Sequence, residues 1–217
     1  MRAVVVANGD VDPADRAHLE GAMVVVAADG GALALERWGV VPLAVVGDMD
    51  SVDEETLARL AARGAAVERH PRSKDRTDLE LALARVIATG ADEVVVLGAF
   101  GGSRLDHGLA NAMLLADPAY AAIDLRAVRG PVTVRALRGP GRRVLEGAPG
   151  DGVSLVPLGD VTGVRTEGLV YPLAGEPLPL GGARGVSNRI RATPAAVSSE
   201  LGVLLIIETR DGGNERG

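Results

Sequence analysis

Val24-Val25-Val26-Ala27-Ala28-Asp29-Gly30-Gly31 decides the fold: an apolar run of strand length ends on an acid and two glycines that open a helix. The arrangement recurs. Asp48-Met49-Asp50-Ser51 follows Leu43-Ala44-Val45-Val46-Gly47, Asp75-Arg76-Thr77-Asp78 comes after Ala66-Val67-Glu68-Arg69, and Arg104-Leu105-Asp106 comes after Val94-Val95-Val96-Leu97. In an open parallel sheet, the loops at the carboxyl ends of the strands converge on one crevice. Carboxylates gathered there repel one another and are tolerated when a divalent cation, itself carrying an anionic substrate, neutralises them. The pattern points to a magnesium-dependent enzyme acting on phosphates.

Working outward, Ala3–Ala7, Met23–Ala28, Leu43–Val46, Ala66–Arg69 and Glu93–Leu97 are short Val-rich runs, as expected of strands covered on both faces. Helical segments separate them. Asp12-Pro13 reads as a cap with proline at the first helical position, and Ser51-Val52-Asp53-Glu54 and Thr77-Asp78-Leu79-Glu80 match the capping box. Gly39, Gly64 and Gly90 stand where helices should stop. Such alternation predicts an α/β domain with an open parallel sheet over residues 1–125. From Arg126 to Gly150 the chain turns rich in Gly, Pro and Arg. Beyond it, Val153–Pro157, Val161–Thr166, Val186–Ile190 and Gly202–Glu208 read as short strands, so residues 126–217 are expected to form an all-β sandwich ending in a frayed tail from Asp211 to Gly217.

Composition narrows the function. The 217 residues are 47% hydrophobic and 24% charged, as in soluble globular proteins. No apolar run approaches the ~20 residues needed to cross a bilayer, and Met1-Arg2-Ala3-Val4-Val5-Val6 reads as a first strand rather than a leader. The absence of cysteine excludes disulfides, thiolate metal sites and cysteine nucleophiles. A net charge of −6 with 2% aromatic residues argues against a nucleic-acid surface.

Each acidic loop has a bland reading beside the sharp one. Asp48 and Asp50 can hold a hard cation, or Asp50 or Ser51 can simply cap the next helix. Asp75 and Asp78 can complete the cage, while Thr77 with Glu80 as box partner would be structural. Arg72 and Lys74 beside the acids suit a nucleoside triphosphate and its metal, or a solvated loop. Gly98-Ala99-Phe100-Gly101-Gly102-Ser103-Arg104 lacks the spacing of a P-loop, though its glycines let backbone N–H groups approach an anion and Arg104 can add a bidentate contact. Asp29 can cap its helix or bond a ligand, and Trp38 is most simply core.

Taken in order, Ala28-Asp29-Gly30-Gly31-Ala32, Gly47-Asp48-Met49-Asp50-Ser51, Lys74-Asp75-Arg76-Thr77-Asp78 and Gly101-Gly102-Ser103-Arg104-Leu105-Asp106-His107 resemble the thiamine pyrophosphokinase family. Thr166-Glu167-Gly168-Leu169-Val170-Tyr171-Pro172-Leu173 and Gly185-Val186-Ser187-Asn188 resemble its thiamine-binding half. The resemblance spans nearly the whole chain. It implies transfer of pyrophosphate from ATP to the hydroxyl of thiamine, releasing AMP, by a cytoplasmic homodimer whose active sites are shared between subunits. It also implies Mg2+ on Asp48, Asp50 and Asp78, with Asp50 or Asp75 taking the alcohol proton and Asp78 among the catalytic groups. Asp29, Gly30, Lys74, Thr77, Arg104 and Asp106 would face ATP, and Tyr171, Ser187 and Asn188 would contact thiamine. Tyr171 stands where the family often has Trp, and Arg189 where an acid is frequent. A metal-dependent glycosyltransferase would use Asp48 and Asp50 but leaves the other loops unexplained, and a non-catalytic sensor would not need every carboxylate.

Overall fold

The computed structural model describes residues 1–211, so the tail expected from Gly212 to Gly217 lies outside the described residues. The chain divides into two compact units. The first comprises Met1–Asn111 with Ala119–Gly130, and the second Ala112–Pro118 with the chain from Pro131 onward.

In the first unit, β1 (Arg2–Val6), β2 (Val24–Ala28), β3 (Ala44–Gly47), β4 (Ala66–Arg69), β5 (Glu93–Leu97) and β6 (Asp124–Arg129) are parallel, in the order β6-β5-β1-β2-β3-β4. The helices between them are α1 (Gly31–Arg37), α2 (Glu54–Ala62) and α3 (Asp78–Ile87), with α4 (Leu105–Leu114) after β5. Val4, Val6, Ala27, Val45, Val95 and Leu97 from the strands pack with Leu35, Leu57 and Leu60 from α1 and α2. Full burial of each such side chain contributes about 1.5–3 kcal/mol. The order reverses at β1, which lies between β5 and β2, and this is the switch point at which open α/β sheets bind ligands.

Two local expectations are corrected. Asp12 does cap a helix with Pro13 in its first turn, but Pro13–Leu19 is a 3₁₀ helix, its cap reinforced by Asp15. The cap of α2 is Asp53, whose carboxylate accepts from Thr56 N at 2.7 Å, and not Ser51, whose hydroxyl donates to Asp50 instead. The α3 capping box of Thr77 and Glu80 forms as the sequence predicts.

The second unit is a sandwich of antiparallel sheets. One sheet holds β7 (Val132–Arg138), β9 (Gly152–Pro157), β12 (Asn188–Arg189) and β14 (Val203–Thr209), in the order β12-β9-β14-β7. The other holds β8 (Gly141–Val144), β10 (Val161–Glu167), β11 (Ala174–Leu178) and β13 (Ala196–Ser199), in the order β11-β10-β13-β8. Leu137, Leu155, Leu204 and Ile206 from the first sheet meet Val161, Val164, Leu178 and Val197 from the second. The run Val186–Ile190, expected as a full strand, supplies only the two residues of β12. Arg126–Gly150 carries most of β6 and all of β7 and β8 despite its Gly, Pro and Arg content. Arg135 is fully buried there, paired with Glu146 at 2.6 Å and Glu208 at 3.5 Å.

Candidate active site

The crevice at the switch point is a cavity of about 580 Å³, and all of its wall comes from the first unit. The ends of β1 and β5 meet at its floor, where Gly9 N donates to Gly98 O at 2.8 Å. A side chain on Gly9 would collide with the carbonyls of Gly98 and Phe100, so glycine is required for this approach.

Asp29 follows β2 with a φ of 46°, a left-handed backbone uncommon outside glycine. It is 4% exposed. Its Oδ1 accepts from Ser51 N at 3.4 Å. Burial raises its carboxyl above the ordinary range, against the lowering effect of hydrogen bonds from Ser51 and Gly30. Asp48 and Asp50 flank Met49, whose φ of 63° is also left-handed and whose side chain is buried in the core. Across that kink Asp50 N donates to Asp48 Oδ1 at 3.2 Å. Asp48 joins Asp29 and Asp78, and one carboxylate oxygen from each of these three lies within 4.8 Å of the others. Asp50 instead accepts from Ser51 Oγ at 2.9 Å and pairs with Arg72 Nη2 at 2.5 Å, and these contacts hold its carboxyl below the ordinary range.

Asp78 is the first residue of α3, where a negative charge complements the helix N-terminus. Its Oδ1 is buried and pairs with Lys74 Nζ at 2.7 Å. Gly47 lets the cage close: a Cβ there would sit 3.1 Å from Asp29 Cβ and 3.1 Å from Asp78 Cγ. Three carboxylates converging to within 4.8 Å of one another fit a hard divalent cation with oxygen ligands.

Arg72, Lys74, Arg76 and Arg104 also line the cavity, with Arg72 and Lys74 paired to the acids directly. Arg104 is bound to Asp106 through two hydrogen bonds of 3.0 and 2.7 Å, which bring the Asp106 carboxyl down to about 2. Thr77 lines the cavity while its hydroxyl accepts from Glu80 N. Gly30, Asp75 and Asp106 are not part of the wall. Gly30 packs against Asn8, and Asp75 is exposed. Asn8, Gly9, Arg76, His107 and Asn111 belong to the wall without having been singled out as binding residues. Asn8 Nδ2 donates to Ser51 Oγ at 3.0 Å, and Asn111 Nδ2 to Ala99 O at 2.8 Å. Asn8-Gly9 directly follows the first Val-rich run, so the rule that picked out Asp29 and Asp48 applies equally to it.

In the second unit, Tyr171 is 59% exposed. Asn188 is buried, and its side-chain amide is engaged with the backbone of Tyr171 and Arg189. Ser187 has a φ of 62°, its N donates to Ser154 Oγ at 3.1 Å, and its own side chain is exposed.

Carboxylates set among cationic arms at the switch point of an open α/β sheet make the class of site that receives an anion together with a divalent cation. Residues 16–126 match the family model described as thiamin pyrophosphokinase, catalytic domain, and residues 143–204 match that described as thiamin pyrophosphokinase, vitamin B1 binding domain. The chain belongs to the thiamin pyrophosphokinase family. It is 28% identical over 188 residues to the thiamine pyrophosphokinase of Bacillus subtilis, covering 86% of this chain and 87% of that one. The crystal structure of the Bacillus subtilis enzyme superposes with a TM-score of 0.87 at 26% identity, covering 97% of this chain and all of that one. The thiamin pyrophosphokinase of Geobacillus thermodenitrificans superposes with a TM-score of 0.85 at 26% identity, covering 98% of this chain and 99% of that one.

Proposed function

We propose that this chain transfers pyrophosphate from ATP to the hydroxyl of thiamine, giving thiamine diphosphate and AMP. The observation that carries the reading is the convergence of Asp29, Asp48 and Asp78 beside Lys74 and Arg72, in a chain that matches both domain models of the family. Asp48 and Asp78 would hold Mg2+ with Asp29 as the third carboxylate, and Asp50 beside them. When bound, the ion neutralises the phosphates and the charge that grows on the leaving oxygen.

The protein's own residues position the rest. Lys74 and Arg104 point their charges at the phosphates, and the glycines from Gly98 to Gly102 let backbone N–H groups approach the chain of anions. Asp29, Gly30, Thr77 and Asp106 support the ATP side, Gly30 beside Asn8 and Asp106 through its hydrogen bonds to Arg104. The thiamine hydroxyl oxygen bonds to the β-phosphorus, the bond from that phosphorus to the oxygen bridging to the α-phosphorus breaks, and AMP leaves with that oxygen. The hydroxyl proton passes to Asp50, which is in the cavity wall, rather than to Asp75, which is not. In-line transfer depends mainly on this positioning and charge neutralisation. Tyr171, Ser187 and Asn188 form the thiamine side. We place the enzyme in the cytoplasm as a homodimer with shared active sites. Among the described residues, no helix is long and apolar enough to cross a membrane.

The test is incubation with ATP, Mg2+ and thiamine, with AMP and thiamine diphosphate assayed together. Equal appearance of both is expected. Release of ADP, or AMP without thiamine diphosphate, overturns the reading.

A further inference from the structure

Two cations attend the acidic cage, and they differ in kind. Lys74 is a buried partner: its side chain is 15% exposed, and its ammonium lies 2.7 Å from Asp78 Oδ1. Arg72 is an arm in solvent: its side chain is 73% exposed, yet its guanidinium spans both acids of the neighbouring loop, 2.5 Å from Asp50 Oδ2 and 3.8 Å from Asp48 Oδ2. An exposed arginine loses conformational freedom when held in one geometry, and exposed ion pairs return little stability. What holds Arg72 there is the negative charge of Asp48 and Asp50, two of four carboxylates lining one cavity in which Lys74 pairs with Asp78 alone.

We infer that Arg72 is a resident counter-ion, exchanged during binding: it neutralises Asp48 and Asp50 before a metal arrives, and swings to the polyphosphate of the incoming nucleotide once a divalent cation has taken its place. The guanidinium sits where a cation on Asp48 would repel it. Its planar fork matches a phosphate as well as a carboxylate, so the displaced arm has a second partner within the same cavity. The exchange rests on the nucleotide reading above and assigns to Arg72 a role in the order of binding: it opposes metal entering alone and favours metal entering with nucleotide.

The two halves carry opposite signs in one variant, which separates this role from a merely structural one. Mn2+ serves as a spectroscopic probe, titrated into Arg72→Gln and followed by electron paramagnetic resonance, first alone and then with α,β-methylene-ATP. Without nucleotide, the variant is expected to bind Mn2+ roughly fivefold more tightly than wild type, because one like charge near the ion is gone. At saturating Mn2+, it is expected to bind the analogue roughly fivefold more weakly, and Arg72→Lys should fall between the two in both titrations. Unchanged or weaker Mn2+ binding by Arg72→Gln overturns the counter-ion half. Unchanged or tighter analogue binding overturns the transfer to phosphate. A wild-type protein that takes up Mn2+ but no analogue overturns the nucleotide reading itself, while the metal titration alone still decides whether Arg72 competes with the ion.

Discussion

Asn188 holds Tyr171 by both of its backbone polar atoms: Asn188 Oδ1 accepts from Tyr171 N at 3.0 Å, and Asn188 Nδ2 donates to Tyr171 O at 2.6 Å. A side-chain amide carries an acceptor and a donor side by side, which suits it to both polar groups of one residue's backbone. The same Oδ1 also accepts from Arg189 N at 2.9 Å, so the buried amide is largely committed to the protein itself. Under the proposed function, its part would be to fix the exposed Tyr171 loop.

Asn188→Ala should leave the Tyr171 backbone groups without partners and cost about 1–3 kcal/mol. The Michaelis constant for thiamine should rise while that for ATP stays near wild type. Asn188→Asp keeps the acceptor and loses the donor, so it should fall between. Steady-state kinetics in both substrates, with thermal melts, decide the matter. An Asn188→Ala protein with normal thiamine kinetics would remove the loop from recognition.

Tyr171 itself offers a ring to a ligand with a cationic thiazolium and a flat pyrimidine. Its side chain is in solvent at 59% exposure, which a plain core residue would not be. A tyrosine face attracts a nearby cation or stacks on a flat ring by roughly 0.5–2 kcal/mol. Tyr171→Ala should raise the thiamine Michaelis constant by about 2- to 30-fold, the span of that energy, with little change for ATP. Tyr171→Trp should preserve or tighten thiamine use. Competition by thiamine analogues, measured in the three proteins, gives the same order if the ring is the contact.

Gly47 is a prediction about the cage. Its φ of 153° disfavours any side chain, and a Cβ would press on Asp29 and Asp78 at 3.1 Å. These are short side chains held by a buried backbone, so they cannot yield without moving their carboxylates. Gly47→Ala should lower turnover by about 100-fold, the order of loss that a 1 Å misplacement brings. The apparent metal requirement should rise with it. Normal activation by Mg2+ in this variant would mean that the three carboxylates do not act together.

Which features were legible in the sequence follows from where charge and proline fall. The strands β1, β2, β3 and β5 are mostly Val and Ala, and β4 and β5 have the bounds read from the sequence. β7 was hidden by Arg135 and Arg138, because a strand with an arginine on its inner face breaks the apolar alternation. Only the folded chain brings Glu146 and Glu208 to Arg135. β11 was hidden by Gly175 and Pro177, yet β11 is an edge strand, where proline's missing donor is tolerated. In the site, Asp48 and Asp50 look like one pair in sequence. Only Asp48 of the two falls within the three-carboxylate group, and Met49 between them is left-handed, a conformation that no residue type at that position announces. Asp29 looked like a turn residue, and its place in the cage depends on the pairing of β2 with β3, which sets Ala28 opposite Val46 one residue before Gly47.

The last prediction uses the buried charge of Asp29. Burial raises its carboxyl above the value of 3.8 that it has in an unfolded chain. For a group raised by folding, the native state binds more protons than the unfolded one. The associated stability is fully present below the unfolded value and is lost as pH rises through the folded value. Above the folded value, in EDTA, the wild-type protein bears the cost of an ionised carboxylate in a buried cage next to Asp48 and Asp78. Asp29→Asn removes that charge while keeping the shape. In EDTA at pH 7, the variant should melt about 2–4 °C higher, the change that about 1 kcal/mol makes in a chain of this size. The gap should shrink as pH falls through the raised folded value and the wild-type carboxyl takes up its proton. Adding Mg2+ should reverse the order, because an ion bound only to the native state stabilises the wild type by mass action and the variant less. Calorimetric melts over pH, with and without Mg2+, test both signs together. A variant that melts lower than wild type in EDTA would mean that the hydrogen bond from Ser51 to Asp29 outweighs the cost of burying the charge.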